Sequence, residues 1–383
     1  MQMLNRNPAA CVSSALLLVL AACTPARVPT EYVPKPQVAI IAYARDSNRM
    51  DLEAIDARRL THVNYAFADV SPDHQVYLRN PSDGAALRKL TSLRTVNPDL
   101  KVLVSAGGWT WSDHFSDAAL TDESRRVFAE SAARLVREHD LDGIDLDWEY
   151  PGQPGDDNTY RPEDRDNFTL MIRAVRERLD AFEQELGRPL LLTIAAGAGQ
   201  SFLDHTEMSE VAAYLDFVNL MTYDFAGAWT PTTAHHTNLY AGACPGESAE
   251  AAVKRYMEAG VPREKIVLGA AFYGRSWKGV RMERTGLCEP YEGPSGSYRY
   301  SLLESEFIDR NGYRRYWDGE AHAPYLANPD SAEVISYDDP SSIQFKALYV
   351  RQEGLGGAMF WVYDSDPSGT LLRTLHSYLS APR

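Results

Sequence analysis

Three acidic residues alternate with apolar ones in the stretch DGIDLDWEY, which covers residues 142–150. These residues are Asp145, Asp147 and Glu149. The period of two predicts a strand, on which the three carboxyl groups share one face at intervals of about 7 Å. Crowded carboxyl groups shift each other's pKa values, which suits them to transfer protons. We interpret the three acids as a candidate catalytic site; a solvated strand face and a cation site are the alternatives.

The elements that would position these acids are apolar segments rich in β-branched residues, which recur along the chain. Amphipathic helical stretches separate them, such as residues 124–139, where Phe128, Ala132, Leu135 and Val136 form one apolar stripe. This alternation predicts a (β/α)8 barrel. A doubly wound open sheet is the alternative, disfavoured because no Gly-x-Gly-x-x-Gly turn follows the first strand. The predicted strands are residues 38–44, 62–70, 101–109, 143–150, 190–198, 217–225, 265–274 and 357–364.

One segment does not fit the repeat. Residues 277–339 are rich in Tyr, Gly and charged residues and show no clear strand-and-helix unit. A loop of that length without structure of its own would be unusual in a compact domain. We therefore expect a small α+β domain inserted between barrel strands seven and eight, within a catalytic barrel that covers residues 37–383.

The polar ends of the predicted strands place further candidates beside the acids. In such barrels the groups that carry out chemistry lie at the carboxyl ends of the strands. Strand three ends in SAGGW (105–109), strand six in MTYDF (221–225) and strand seven in YGR (273–275), while strand eight carries Trp361. Acids, aromatic rings and one arginine then converge on a single mouth, a composition typical of sugar-binding sites. Core packing is the alternative for each aromatic residue taken alone.

The same motifs resemble those of the glycoside hydrolase family 18 chitinases. DGIDLDWE matches the family signature Asp-x-x-Asp-x-Asp-x-Glu at every acidic position. SAGGW resembles the family's Ser-x-Gly-Gly motif, and MTYDF resembles its Met-x-Tyr-Asp motif. YGRSW, YWDGEAHAPYL and GGAMFWVYDSD are similar to the branch that carries an α+β insertion. The resemblance extends across almost the whole chain after the N-terminal region.

The resemblance implies a retaining hydrolysis of β-1,4-linked N-acetylglucosamine, in which the substrate's own 2-acetamido oxygen acts as the nucleophile. Glu149 would be the general acid that protonates the glycosidic oxygen. Asp147 would orient the acetamido N–H, and Tyr223 would hold the acetamido carbonyl. Asp145 would share a proton with Asp147, and the repulsion among these acids would help to keep Glu149 protonated near neutral pH.

The resemblance also implies a set of substrate-binding residues. Trp361 would form the hydrophobic floor under the sugar at the cleavage point, while Asp224 and Arg275 would make polar contacts. The inserted domain would wall one side of the cleft. The remaining candidates are the aromatic residues Tyr43, Phe67, Trp109 and Trp229, which would line flanking subsites, together with Ser105, Gly108, Met221 and Tyr273 from the matched motifs.

Chitin or N-acetylglucosamine oligomers are the expected substrates, and two alternatives stay open. The same reaction could act on N-glycan cores or peptidoglycan-like glycans, or the protein could be a non-catalytic chitin-binding lectin. A lectin would be expected to lack the acid, whereas Glu149 is present. We expect a monomer without a cofactor or a metal ion.

The net charge, the histidines and the cysteines indicate which partners, metal sites and disulfides to expect. The formal net charge is −15 and no basic run occurs, which argues against nucleic acid. No cysteines or histidines have zinc-ligand spacing, so the adjacent His235 and His236 are expected to be structural. Cys244 and Cys288 could form a disulfide outside the cytosol or remain two separate buried thiols.

The first residues predict export. Residues 1–22 combine a short polar start with an apolar run, as in a secretory signal peptide; an uncleaved anchor is the alternative. The sequence LAAC, ending at Cys23, resembles the bacterial lipobox, whose cysteine is lipidated. Residues 23–36 are Pro-rich and would form an extended tether. The expected product is an exported protein held at a bacterial membrane by its lipid alone, and Thr24 after the cysteine favours the outer membrane.

Substituting Cys23→Ala should leave the exported protein without lipid. Wild type should then enter the detergent phase on detergent separation, and the variant the aqueous phase, because acyl chains supply the membrane affinity. A variant that begins after the tether is the control and should retain activity. Equal partitioning of wild type and Cys23→Ala would contradict the lipobox interpretation.

Overall fold

The computed structural model describes residues 38–45 and 51–381. The predicted signal peptide, the lipidation candidate Cys23 and the tether of residues 23–36 lie outside the described residues. Within the described ranges, no helix is long and apolar enough to cross a membrane.

Strands and helices alternate through most of the described chain. The strands are β1 (Ala39–Ala44), β2 (His62–Val70), β3 (Val76–Tyr77), β4 (Lys101–Gly107), β5 (Gly143–Asp147), β6 (Leu191–Gly197), β7 (Phe217–Met221), β8 (Ile266–Ala271), β9 (Tyr273–Lys278), β10 (Ser295–Arg299), β11 (Arg314–Asp318), β12 (Ala323–Asn328), β13 (Glu333–Tyr337) and β14 (Gly357–Trp361). The α-helices are α1 (Asp83–Ser92), α2 (Phe115–Ala119), α3 (Asp122–Glu138), α4 (Asp164–Leu186), α5 (Gln200–Asp204), α6 (Met208–Val211), α7 (Ala249–Glu258), α8 (Tyr300–Leu302), α9 (Pro340–Glu353) and α10 (Thr370–Leu379). Short turns of 3-10 helix cover Leu52–Ala54, Ala57–Arg59, Leu93–Thr95, Arg263–Lys265 and Tyr363–Ser365, and a π-helical turn covers Leu303–Phe307.

Eight parallel strands close into a barrel. Their order is β1, β2, β4, β5, β6, β7, β8 and β14, and β14 pairs with β1 again, with Ala39 opposite Gly357. Each strand is followed by a helical segment or a longer excursion that returns to the next strand. The predicted (β/α)8 barrel is confirmed, and all carboxyl ends of its strands therefore meet at one mouth.

The main hydrophobic core lies between the strands and the surrounding helices. The stripe predicted on residues 124–139 faces this core, because Phe128, Ala132, Leu135 and Val136 of α3 are all buried. The Thr121 side chain caps this helix by accepting the Ser124 N–H, and Ser124 reciprocates. A smaller cluster fills the barrel interior and comprises Ala39, Ile41, Tyr43, Ala66, Val267, Met359 and Val362.

A second, antiparallel sheet is inserted between barrel strands β8 and β14, as predicted. Its order is β10, β9, β13, β12 and β11. The sheet begins at Tyr273, before the predicted boundary near residue 277, because Tyr273 pairs with Arg299 across the sheet. The prediction that barrel strand seven ends in Tyr273 and Arg275 is therefore wrong: that strand ends at Ala271, and both residues belong to the wall formed by β9.

Two covalent or ionic links hold this region together. A disulfide joins Cys244 to Cys288, with their Cα atoms 5.4 Å apart. Asp338, just after β13, accepts hydrogen bonds from the Lys346 ammonium at 2.5 Å, the Thr237 hydroxyl at 3.0 Å and the Ala271 N–H at 3.0 Å. Lys346 and Asp338 are both buried, and burial lowers the pKa of Lys346 against the opposing charge of Asp338.

Replacing Lys346 with Met should destabilise the fold by about 3–5 kcal/mol, because it leaves the Asp338 charge buried without its cation. Urea unfolding measures this loss. The double variant Lys346→Met/Asp338→Asn is the matched control and should recover much of the stability, since neither charge is then buried and the amide oxygen can still accept from Thr237 and Ala271. A single variant as stable as wild type would contradict an ionised pair at this junction.

Candidate active site

A groove of about 1650 Å³ opens at the carboxyl ends of the barrel strands. One wall comes from β9 and β10 of the second sheet, so the insertion deepens it. The side chains that line it include most of the candidates from the sequence, namely Tyr43, Phe67, Trp109, Asp147, Glu149, Met221, Tyr223, Asp224, Trp229, Tyr273, Arg275 and Trp361.

Two of the three acids, Asp147 and Glu149, line this groove, and Asp145 is fully buried and does not line it. Asp145 and Asp147 belong to β5, whereas the strand ends before Glu149, so the prediction that all three lie within one strand is wrong for Glu149. The Ser112 hydroxyl fixes this turn by accepting the Glu149 N–H at 2.9 Å. The side chains of the three acids are exposed by 0%, 4% and 9%, which excludes a solvated strand face.

Asp145 is the most fully bonded of the three acids. One carboxylate oxygen accepts from the Tyr43 hydroxyl at 2.9 Å and the Ser105 hydroxyl at 2.7 Å. The other accepts from the Thr193 hydroxyl at 2.6 Å and the Asn219 amide at 3.2 Å. Burial raises the pKa of Asp145, and these four donors oppose the rise because they stabilise its charged form.

Asp147 has no comparable set of hydrogen-bond donors among the described residues. Its Oδ1 atom is buried and accepts no hydrogen bond from the described residues. Burial raises the pKa of Asp147 well above its usual range, and the charges of Glu149 and Asp145 raise it further. An ionised Asp147 would therefore gain from any N–H group that entered the groove.

Glu149 is poised to carry a proton. Burial raises its pKa to about 7, against a hydrogen bond with Tyr150 that lowers it, and the charge of Asp224 adds to the rise. A carboxyl group with such a pKa keeps a proton in mildly acidic solution and can release it near neutrality. The arrangement can thus donate one proton to a bound molecule.

Asp224 supplies a fixed negative charge beside the acids. It accepts two hydrogen bonds from the Arg275 guanidinium, at 2.8 and 2.6 Å, and one from the Tyr273 hydroxyl at 2.7 Å. Burial alone would raise the pKa of Asp224, but the neighbouring His236 ring and the hydrogen bonds from Arg275 hold it well below its usual range. Asp224 therefore stays ionised under any ordinary condition.

Aromatic rings form the rest of the groove. Phe67 stacks on Trp361 with ring centroids 5.6 Å apart, and the Tyr43 ring lies 6.0 Å from Trp361. Trp109 and Trp229 are half exposed or more, at 50% and 60%, and the Arg275 guanidinium lies over the Trp229 ring, 5.4 Å from its centroid. Tyr43 lines the groove but is buried, and its hydroxyl donates a hydrogen bond to Asp145.

Tyr223 is surrounded by the charged groups of the site. Its hydroxyl has a long contact of 3.9 Å with the Met359 sulfur. Burial raises the pKa of Tyr223 well above its usual range, and the charges of Asp147 and Glu149 raise it further. Its hydroxyl therefore keeps its proton and can donate it in a hydrogen bond.

Ser105 and Gly108 support the site from beneath and do not line the groove. Ser105 is fully buried and bonds Asp145. Gly108 has a φ of +92°, and a Cβ atom there would lie 2.9 Å from the Phe67 ring. The glycine thus lets Phe67 reach Trp361.

Several contributing residues were not predicted. Thr193 and Asn219 bond Asp145 from β6 and β7, and Ser112 fixes the Glu149 turn. The sequence does single out Thr193 and Asn219, because each is a lone polar residue inside an apolar strand. Ser112 lies in a loop and gave no such signal.

The adjacent histidines do not form a metal site within the described ranges. His235 Nε2 lies 3.2 Å from Asp318, and His236 Nδ1 lies 3.6 Å from Asp224. No group of three His, Cys, Asp or Glu side chains that could hold a metal ion occurs in residues 38–45 and 51–381.

Comparison with known proteins places this geometry in a family. The family model for glycosyl hydrolases family 18 matches residues 39–366. Chitinase A1 of Niallia circulans is 37% identical over 88% of this chain, which spans 57% of that protein's length. Endochitinase 1 of Metarhizium robertsii is 33% identical over 89% of this chain and 83% of its own length.

Solved structures agree with the sequence relatives. A family 18 N-acetylglucosaminidase from Paenibacillus barengoltzii superimposes with a TM-score of 0.82 at 45% identity, covering 89% of this chain and 99% of that one. The chitinase ChiW from a Paenibacillus species gives a TM-score of 0.85 at 40% identity, covering 90% of this chain and 43% of that one. The matched family model spans the barrel, the insertion and the three buried acids, and this chain belongs to glycosyl hydrolases family 18.

Proposed function

We propose that this protein is a chitinase that hydrolyses β-1,4-linked N-acetylglucosamine polymers or oligomers with retention of configuration. The observation that carries the proposal is the pairing of an acid that holds a proton, Glu149, with a buried carboxylate oxygen of Asp147 that has no partner among the described residues. The first can protonate a leaving group, and the second can accept an N–H from a substrate. The similarity to named chitinases supports the substrate class.

Glu149 would protonate the glycosidic oxygen. Its pKa of about 7 keeps the proton available below neutrality, and it could later take a proton from the attacking water as a general base. Metal-free acid catalysis of this kind contributes typically about 10²–10⁴ to the rate.

The substrate's acetamido oxygen would attack the anomeric carbon, so that no protein nucleophile is required. Asp147 would accept the acetamido N–H at its free oxygen and compensate the positive charge that develops on the oxazolinium ion. The Tyr223 hydroxyl, which keeps its proton, would donate to the acetamido carbonyl. Together these contacts would hold the nucleophile near the reacting carbon.

Asp145 would share a proton with Asp147 and so influence whether Asp147 is charged. The two acids are adjacent on one face of β5, and both pKa values are raised chiefly by burial. A proton shared between them lets the pair hold one negative charge at a time and move it toward the substrate. The four donors around Asp145 would favour its charged form before a substrate enters.

Trp361 would form the floor under the reacting sugar, with Phe67 supporting it from the stacked position. Trp109 and Trp229, which are half exposed or more, would stack on sugars further along the chain. We also propose, from the sequence alone, that export and lipid attachment at Cys23 present the enzyme at the surface of a bacterial membrane.

Replacing Glu149 with Gln tests the acid. The amide keeps the shape and removes the proton, so turnover of a natural chitin oligomer should fall by about 10²–10⁴ or more. Binding of the oligomer, measured by calorimetry, should persist because the groove is unchanged. Glu163→Gln, on the surface outside the groove, is the control. Turnover near that of wild type would refute the assignment of Glu149.

The substrate-assisted mechanism predicts a requirement for an N-acetyl group at the cleavage point. Fully deacetylated chitosan and cellulose oligomers should remain intact, and the product of an N-acetylglucosamine oligomer should appear first as the β anomer in a proton NMR time course. The Asp147→Asn variant should lose rate far more than binding, because the Asp147 charge matters mainly as the oxazolinium ion forms. Initial α product would indicate inversion by water, and cleavage of deacetylated chains would indicate a protein nucleophile.

A further inference from the structure

The arginines that line the groove differ in whether a carboxylate lies close enough to neutralise their charge. Four arginines line it. Three lie close to carboxylates: Arg45 is 3.5 Å from Asp364, Arg79 is 3.4 Å from Asp69 and Arg275 is 2.6 Å from Asp224. The fourth, Arg299, makes no side-chain hydrogen bond or ion pair within residues 38–45 and 51–381. Among the four arginines of the groove, Arg299 is therefore the one whose charge no carboxylate of the described residues neutralises.

Arg299 stands on the wall formed by the inserted sheet. In the register of β9 and β10, Arg299 lies opposite Tyr273, and Ser297 lies opposite Arg275. Residues directly opposite in an antiparallel pair share a face, and all four of these side chains line the groove. Arg299 is only partly exposed and lines the groove, so a chain bound there would shield it further from water.

Backbone hydrogen bonds hold this part of the wall close to the floor of the groove. The Tyr300 N–H donates to the Phe272 carbonyl at 3.0 Å, and the Phe272 N–H donates to the Trp361 carbonyl at 2.8 Å. Leu302 from the following turn also lines the groove. A sugar bound beside the one on Trp361 would therefore lie near Arg299.

Two acids of the flanking segments are occupied elsewhere. Glu304 accepts a hydrogen bond from the Ser368 hydroxyl at 2.9 Å. Asp366 accepts the N–H groups of the first turn of α10, at Thr370, Leu371 and Leu372. Both carboxylates serve to fix the chain after β14, and neither forms an ion pair with Arg299.

We propose that Arg299 makes the groove select against glucosamine, the deacetylated sugar, at the position next to the cleaved sugar. The inference rests on the proposed function and adds a second point of selection to it. An N-acetyl group is neutral and can accept a hydrogen bond from the guanidinium through its carbonyl oxygen. The free amine of glucosamine is protonated in mildly acidic solution, and it would be repelled by the like charge.

The test uses partially acetylated chitosan, digested by the full exported protein at mildly acidic pH, with the products sequenced by mass spectrometry. Wild type should exclude glucosamine at two positions: the new reducing end, where the mechanism requires an N-acetyl group, and one adjacent position. At the adjacent position glucosamine should be about tenfold rarer than in the polymer, as expected for like charges a few ångströms apart in a partly shielded site.

Variants separate the charge from the shape of the side chain. Arg299→Gln should remove the adjacent exclusion and leave the exclusion at the reducing end, whereas Arg299→Lys should keep both. Arg314→Gln is the matched control, because Arg314 is exposed on the same inserted sheet, does not line the groove and carries the same charge. Raising the salt from about 0.1 M to about 1 M should weaken the adjacent exclusion in wild type, since the Debye length falls from about 10 Å to about 3 Å.

The outcomes distinguish this inference from the proposed function. Glucosamine at the new reducing end of many wild-type products would refute the substrate-assisted mechanism itself. An adjacent exclusion that persists unchanged in Arg299→Gln, or that is absent from wild type while the reducing-end exclusion is present, would overturn the role of Arg299 alone.

Discussion

The structure depends on removing three carboxyl groups from water, two of which line one groove. Burying an ionised carboxylate costs several kcal/mol unless hydrogen bonds or opposite charges replace its hydration. Asp145 receives four donors, and they come from β1, β4, β6 and β7. Only a closed barrel brings the ends of strands that are so far apart in sequence to one carboxyl group. The barrel is thus what makes the buried charge tolerable.

Burial raises the pKa of all three acids, and several hydrogen-bond donors oppose that rise at Asp145. Asp145 is surrounded by donors, one oxygen of Asp147 has none among the described residues, and Glu149 carries a pKa of about 7. Negative charge is therefore favoured at Asp145, which is buried outside the groove lining, and a proton is favoured at Asp147 and Glu149, which line the groove. Asp224 reinforces this gradient, because Arg275 and His236 keep it ionised while its charge raises the pKa of Glu149.

The sequence was sufficient for the barrel and for the groups at its mouth, because alternation along a strand is a local property. The buried stripe of α3 and the acids of β5 follow from spacing alone. Boundaries were less predictable: Tyr273 follows an apolar run and looked like the end of barrel strand seven, yet it pairs across the inserted sheet with Arg299, which lies 26 residues later (299 − 273). A pairing between residues so far apart in the chain produces no periodic pattern of apolar residues in the sequence.

The hydrogen-bond donors to Asp145 were also hard to predict from the sequence. Thr193 and Asn219 could be noticed as polar residues in apolar strands, but which acid they serve depends on the register between strands. Tyr43 is predicted to line a flanking subsite, and no local pattern indicates that its hydroxyl donates to Asp145, a residue 102 positions away. Residue type indicates which side chains could take part in chemistry, while the direction of each side chain depends on the closed barrel.

The unequal bonding of the acids also determines which of them can move. Rotating Asp145 would break four hydrogen bonds, each with a net contribution of about 0.5–1.5 kcal/mol, and would leave buried donors unpaired. Glu149 is held through its backbone by Ser112. Asp147 has a buried oxygen with no hydrogen bond to lose among the described residues, so rotating its carboxyl group would cost little. The site therefore combines a fixed carboxyl group, Asp145, with one that can rotate, Asp147.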